Sequence, residues 1–365
     1  MAKQRNYQTK SPEQKKKEFD DLKEKLFQGI QDLNRPENIA QFLVFKSRFY
    51  NYSLNNQMLI YLQLIERSEQ LGIPFNPHLV YAKSYTDWVK EIGTKYPINK
   101  GEHGLKIISS FTTRYVIVND VAVFEKNWTD EIKRLVTEEK IKIYPKRDYM
   151  LGTTFNIDQT KAEELGYKIP NQIPRNILSS NYEKELTDLC CYINTSGKFD
   201  YEVKFYHDVS TTKGYTEGNA IYLNRYYKPD ANFSTLFHEI GHCEMKHNDE
   251  QRAFLIEHLG TTDNFKPSDF TKEVWEKIEK LRMKFEFQAE SYSFCMKNIL
   301  GLPAEFDNAS YRYINSWVRI SKEEKMLFMN QSFQKVDECL NKTGNTIIDF
   351  FKNQKEMIPI GFKIK

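Results

Sequence analysis

Residues 238–242 read His-Glu-Ile-Gly-His, and no other stretch restricts the fold of this chain so tightly. Helix positions four apart share a face, so His238 and His242 reach one metal ion, with Glu239 beside it as a base toward water. The chemistry requires a helix here, and the neighbours supply one. Phe233, Leu236, Phe237 and Ile240 recur at i, i+3, i+4 and i+7. Asn232 or Ser234 is a candidate N-cap. Gly241 costs roughly 1 kcal/mol against alanine in a helix interior, which implies that something packs closely against the helix at that point.

A catalytic zinc site takes three protein ligands and keeps a fourth position for water. The third ligand is sought on residues 272–300. There Val274, Ile278, Leu281, Phe285, Ala289, Tyr292, Met296 and Ile299 keep helical register until Gly301 and Pro303 end it. Glu286 and Glu290 lie four apart on its flank. Solvated charge is the ordinary meaning of such a pair, but Glu286 has Met283, Ala289 and Ser293 as surface neighbours. Glu286 is therefore the expected ligand, and Glu290 the alternative ligand or a partner behind one. One Zn2+ per chain follows, with Glu239 taking the proton of a water as it attacks a carbonyl. Tyr215, Tyr222 and His207 are candidates to stabilise the oxyanion, although packing is the commoner role of each. The strand at 219–223 is expected to align an extended peptide at a sheet edge. For Cys243, next to the motif, the ordinary reading is a small buried residue.

The pair His-Glu-Ile-Gly-His at 238–242 and Glu-Phe-Gln-Ala-Glu-Ser-Tyr-Ser at 286–293 resembles the ImmA/IrrE-type metallopeptidase pattern. In that family the first glutamate of the second motif is the metal ligand, which the resemblance places on Glu286. Residues 218–224 are similar to the strand that precedes the metal helix. Ala309-Ser310-Tyr311 through Trp317 resembles the closing segment of a narrower group, the ArdC-type antirestriction and LtrC-like proteins of conjugative elements. Three stretches resemble the N-terminal part of that group: 52–60 (Tyr-Ser-Leu-Asn-Asn-Gln-Met-Leu-Ile), 88–93 with Lys100-Gly101-Glu102-His103-Gly104, and 155–160. Ile98 and His103 depart from its pattern, and a Tyr/Lys-rich insert at 125–150 is unfamiliar.

The resemblance, which spans roughly 40–320, implies an α+β protein of two domains. Residues 1–160, with a basic tail at 1–11, would form an α+β single-stranded-DNA-binding domain with a small sheet, and 161–178 a linker. Residues 179–335 would form a mainly helical zincin-like metallopeptidase domain carrying a small sheet and the metal helix. Residues 336–365 are a C-terminal tail without assigned function. Tyr52, Asn55, Asn56, Trp88, Lys90, Lys100 and Lys106 are the candidate DNA contacts, aromatics and amides interleaved with cations.

Charge agrees without proving it. Residues 1–115 carry 18 Lys/Arg against 12 Asp/Glu, whereas the remainder carries 35 against 38. A basic N-terminal half permits an anionic partner. The five cysteines are odd in number and lack C-x-x-C spacing, which argues against a disulfide framework and for a reducing compartment. Lys3, Arg5, Lys10 and Lys15 to Lys17 stand where a signal peptide would place an apolar run, and no segment is apolar enough to span a bilayer. The expectation is a cytoplasmic protein of a mobile element that binds single-stranded DNA, meets an unknown protein or peptide substrate, and makes no membrane contact. The alternative is a non-catalytic DNA-binding or interaction module whose metal is structural, although a structural role would not require Glu239.

Overall fold

The computed structural model describes residues 11–33, 36–50, 52–167, 178, 182–260, 270–304 and 321–356. Helix α1 (Pro12–Asp32) opens with the capping box that Ser11-Pro12-Glu13-Gln14 suggests. Gln14 N donates to Ser11 Oγ, and Ser11 N donates to the Gln14 side chain. Helices α2 (Pro36–Phe49) and α3 (Leu54–Leu71) follow, and Gly72 closes α3 in the left-handed conformation.

The first sheet begins with β1 (Ala82–Ser84), after which α4 (Tyr85–Ile92) intervenes. Strand β2 (Leu105–Val118) returns through Asn119 and Asp120 into β3 (Val121–Phe124). Those two turn residues have φ of 48° and 62°, as a two-residue hairpin turn of matching twist requires. Spacing alone suggests two short strands at 105–108 and 115–118. They are one strand because the unfamiliar insert supplies its partner. After α5 (Asp130–Thr137), β4 (Tyr144–Asn156) pairs antiparallel with β2 from Leu105↔Thr154 to Tyr115↔Tyr144. The order is β1-β4-β2-β3.

The second half contributes α6 (Tyr182–Thr195) and strands β5 (Glu202–Tyr206), β6 (Gly214–Glu217) and β7 (Ala220–Asn224). Then come α7 (Pro229–Glu244), α8 (His247–Leu259) and α9 (Lys272–Leu300). Beyond them lie α10 (Lys322–Cys339), a π-helical turn (Leu340–Gly344) and α11 (Asn345–Glu356). The three strands are ordered β5-β7-β6, with β7 parallel to β5 and antiparallel to β6. This corrects the role expected of 219–223: β7 is bonded on both sides, so β6 is the edge strand beside α7. The segment at 309–317 and most of the linker lie outside the described residues.

Helix α9 forms the axis of the core, with Phe287, Ala289, Tyr292 and Met296 fully buried. Each large apolar side chain removed from water contributes about 1.5–3 kcal/mol. Helix α2 reaches the same core from the other end of the sequence. Phe42 meets Phe333 of α10 edge-on at 5.2 Å, and Phe333 meets Phe287 at 5.5 Å. Over the Phe333 ring, with Nζ 5.4 Å from its centre, the fully buried Lys46 pairs with Asp337 at 2.5 Å. Ile347, Ile348 and Phe351 of α11 are buried there too. The fold is mixed α+β, as expected. No helix among the described residues is long and apolar enough to cross a membrane.

Candidate metal centre

Helix α7 does not start as its polar residues suggest. Lys228 is the N-cap, in extended conformation, and Pro229 follows at the first helical position. Asn232 lies inside the helix and donates through Nδ2 to the carbonyls of Asn224 and Tyr227. It thereby ties the end of β7 to the first turns of α7, and this sets the direction in which the helix leaves the sheet. Phe233, Leu236, Phe237 and Ile240 are all buried, so the opposite stripe, with His238 and His242, faces outward toward α9.

The close approach implied by Gly241 comes from α9. A Cβ at Gly241 would stand 3.0 Å from the Cα of Ala289. With the helices this close, Glu286 comes within reach of both imidazoles. His238 Nε2 lies 3.1 Å from His242 Nε2 and 3.3 Å from Glu286 Oε2, and His242 Nε2 lies 3.7 Å from Glu286 Oε1. Donors about 2.1 Å from a tetrahedral centre stand about 3.4 Å apart, and the three separations straddle that value, the two to Glu286 running to its two different oxygens. Two imidazoles and a carboxylate are a donor set that zinc accepts. Glu290, half of the ambiguity at sequence level, sits behind His238 with Oε2 3.4 Å from Nδ1.

Glu239, next to His238 on α7, accepts a 2.7 Å bond through its carboxylate from Thr216 Oγ1 on β6. Burial raises its pKa above the ordinary carboxylate value, and the Thr216 bond only partly opposes this. In the metal-free chain burial would lower His238, but Glu286 and Glu290 outweigh it and push the ring up to about 10. His242 is lowered to about 4 by burial and by the neighbouring His238. Burial opposes ionisation of Glu286, yet the two histidines hold it below the usual range.

Three further residues complete the site. Thr216 gives no sequence signal, because only the pairing of β6 with β7 brings it to the metal helix. His247 lies 2.9 Å from His242 through the Nδ1 atoms, and Gln288 of α9 lies 2.8 Å from His247. His247 escapes helical-spacing arguments because Lys246, at φ 57°, separates α7 from α8. Gln288 stands two residues from Glu286, a spacing that does not point to one helical face.

The oxyanion candidates are engaged in packing. Tyr215 stacks on Tyr222 at 4.9 Å, and His207 meets Tyr226 edge-on at 6.1 Å. Of the DNA candidates, Asn55, Lys90, Lys100 and Lys106 are exposed. Trp88 is different: it is fully buried, its Nε1 donates to the Phe155 carbonyl, and Tyr81 and Tyr167 meet its ring edge-on. Asn56 bonds both N and O of Ile108, locking α3 to β2. Tyr52 stacks on Phe49 and donates to the Ala82 carbonyl. Trp88 and Asn56 therefore have no free face for a base, and Tyr52 spends its hydroxyl and one ring face on the fold.

No family model matches the chain. It is similar to an uncharacterized protein of Bacillus anthracis, 24% identical over 362 residues. The match covers 94% of this chain and 53% of that protein, so the chain spans about half the length of this curated relative. Among solved structures it is similar to the Mn(II)-bound crystal structure of the antirestriction protein ArdC from the R388 plasmid. The likeness covers 88% of this chain and 98% of that one, at 16% identity and a TM-score of 0.38.

Proposed function

We propose that this chain is an antirestriction-type protein of a mobile element, acting in the cytoplasm, that binds single-stranded DNA and carries a zinc-dependent peptidase site. The observation that carries the peptidase reading is the donor triangle of His238, His242 and Glu286, whose ligand atoms all lie within 4.8 Å of one another. Those three side chains would hold one ion. When bound, such an ion supplies Lewis acidity, bringing the pKa of a water to about 7 and polarising a carbonyl.

The remaining work belongs to the protein. Glu239, held by Thr216 and raised by burial, takes the proton of the attacking water and passes it to the leaving amine. Glu290 holds the ring of His238 from behind. Strand β6 carries Thr216 and is an edge of its sheet, so an extended peptide pairing along it passes beside Glu239.

The DNA reading rests on the order of the N-terminal sequence motifs and on a groove of about 660 Å³ between α1 and β4. Lys16, Phe19, Lys106, Tyr149, Met150 and Leu151 line it, with Glu18 as its one acidic member among the described residues. Tyr149 is 59% exposed, with the Arg147 guanidinium 5.9 Å over its ring. An exposed ring among cations is the arrangement that stacks a base while neutralising its phosphate.

Metal content by plasma mass spectrometry, on protein purified without added metal, tests the site. About one zinc per chain, lost in His238→Ala, is expected. Glu239→Gln should keep the zinc and abolish protection of unmodified DNA entering a restricting host. Full protection by that variant would leave a scaffold and no peptidase.

A further inference from the structure

We propose that His247 and Gln288 are positioning residues that fix the tautomer of His242 and so present its Nε2 lone pair to the metal position. This rests on the metal-centre reading above, and it adds to that centre His247, which neither motif contains, and a role for Gln288.

Four side chains from four helices form one hydrogen-bonded line. Gln288, fully buried on α9, donates through Nε2 to Ser332 Oγ of α10 at 3.2 Å. With its amide nitrogen used there, Gln288 offers Oε1 to His247 Nε2, 2.8 Å away. A carbonyl oxygen only accepts, so His247 Nε2 carries the hydrogen. Neutral His247 then has a lone pair on Nδ1, which faces His242 Nδ1 at 2.9 Å. His242 must donate there. A neutral His242 protonated on Nδ1 has its lone pair on Nε2, the atom that faces His238 and Glu286. From this orientation of the Gln288 amide onward, each link leaves one choice for the next.

His247 is well held for this task. It is 1% exposed, and its ring stacks on Phe285 at 4.3 Å with 14° between the planes. Residues behind a metal-bound histidine set its tautomer and orientation, and their loss weakens metal binding by about 10–100-fold. The two histidine ligands are supported differently here. His238 has the carboxylate of Glu290 behind it, whereas His242 has a neutral imidazole and an amide. Only one of the two supports therefore adds negative charge to the centre.

The decisive experiment reads the tautomer without metal. In the metal-free full-length chain, nitrogen-15 long-range spectra should show His242 protonated on Nδ1 and His247 on Nε2. Zinc affinity, measured by competition with a chromophoric chelator, should fall about 10–100-fold in Gln288→Leu and in His247→Phe, which keeps the stack on Phe285. Gln288→Glu retains an acceptor for His247 Nε2 and should stay within a few-fold of wild type. A His242 ring protonated on Nε2 in the wild type overturns the proposal. So does wild-type affinity in both apolar variants. If the wild-type chain binds no zinc, the metal reading fails separately, and the spectra still decide the tautomer.

Discussion

The Cα of Ala289 lies 3.0 Å from where a Cβ on Gly241 would stand, and this single approach sets the distance between the two helices that carry His238, His242 and Glu286, the proposed metal ligands. The obstacle is the backbone of a buried helix, not the flexible end of a side chain, so α9 has no inexpensive way to yield. Overpacking of this kind costs typically about 1–3 kcal/mol, while alanine regains roughly 1 kcal/mol of helix propensity. Gly241→Ala should therefore melt lower than wild type. It should also bind zinc more weakly, because Glu286 moves away with α9. An unchanged melting temperature with unchanged zinc affinity would show that the helices have slack.

Lys46 and Asp337 join α2 to α10 inside the core, where Gln57 completes the network by accepting from Lys46 and donating to Asp337. Burial lowers the Lys46 pKa and raises that of Asp337, each opposed by the other's charge. Removing one partner leaves the other buried and uncompensated, at a cost of about 3–5 kcal/mol. Lys46→Met and Asp337→Leu should each shift the urea midpoint far down. The double variant should recover much of the loss, because two apolar groups need no mutual neutralisation. A double variant as unstable as the sum of the two would refute this account of the pair.

How much of this was readable beforehand depends on whether a signal is local. The capping box at Ser11, the turn at Asn119-Asp120, a helix through 238–242 and the helix 272–300 all follow from short-range spacing, and all are present. Gly241 even pointed to its close neighbour. Residues whose meaning comes from pairing were not readable. The long β2–β4 ladder depends on an insert that pairs 33 residues away at Thr113↔Lys146. The central place of β7 depends on strand order. His247 becomes part of the centre only because the chain turns at Lys246, and Asn232 looks like a cap until β7 is placed beside it.

Glu250 pins α8, the helix that begins with His247, by accepting from Lys284 of α9 and Lys335 of α10 at 2.8 Å each. Burial would raise its pKa, but the two lysines outweigh burial and hold it below the ordinary value. A depressed folded-state pKa contributes stability that is present above the unfolded value and lost as pH falls through the folded one. Glu250→Gln should therefore be less stable near neutral pH, by under about 1 kcal/mol because the carboxylate is 35% exposed and screened. The gap to wild type should close as pH drops below about 4. Urea titrations of both proteins across that range check it; a gap independent of pH would mean that the lysines contribute nothing through charge.

Tyr149 and Trp88 should separate DNA contact from fold support. Tyr149 is an exposed ring over which a base can lie, beside Lys106 and Lys16 in the groove. Loss of one stacked base costs about 1–3 kcal/mol, so Tyr149→Ala should weaken single-stranded-DNA binding by about 5- to 150-fold without moving the melting temperature. Lys106→Gln should lower the salt dependence of binding by about one phosphate contact. Trp88→Ala should do the reverse, costing about 3–5 kcal/mol of stability by emptying a buried site and releasing the Phe155 carbonyl. Fluorescence anisotropy with a labelled oligonucleotide, run beside thermal melts, gives both readouts. Wild-type DNA affinity in Tyr149→Ala would remove the groove between α1 and β4 from the DNA path and return the question to the exposed Asn55, Lys90 and Lys100.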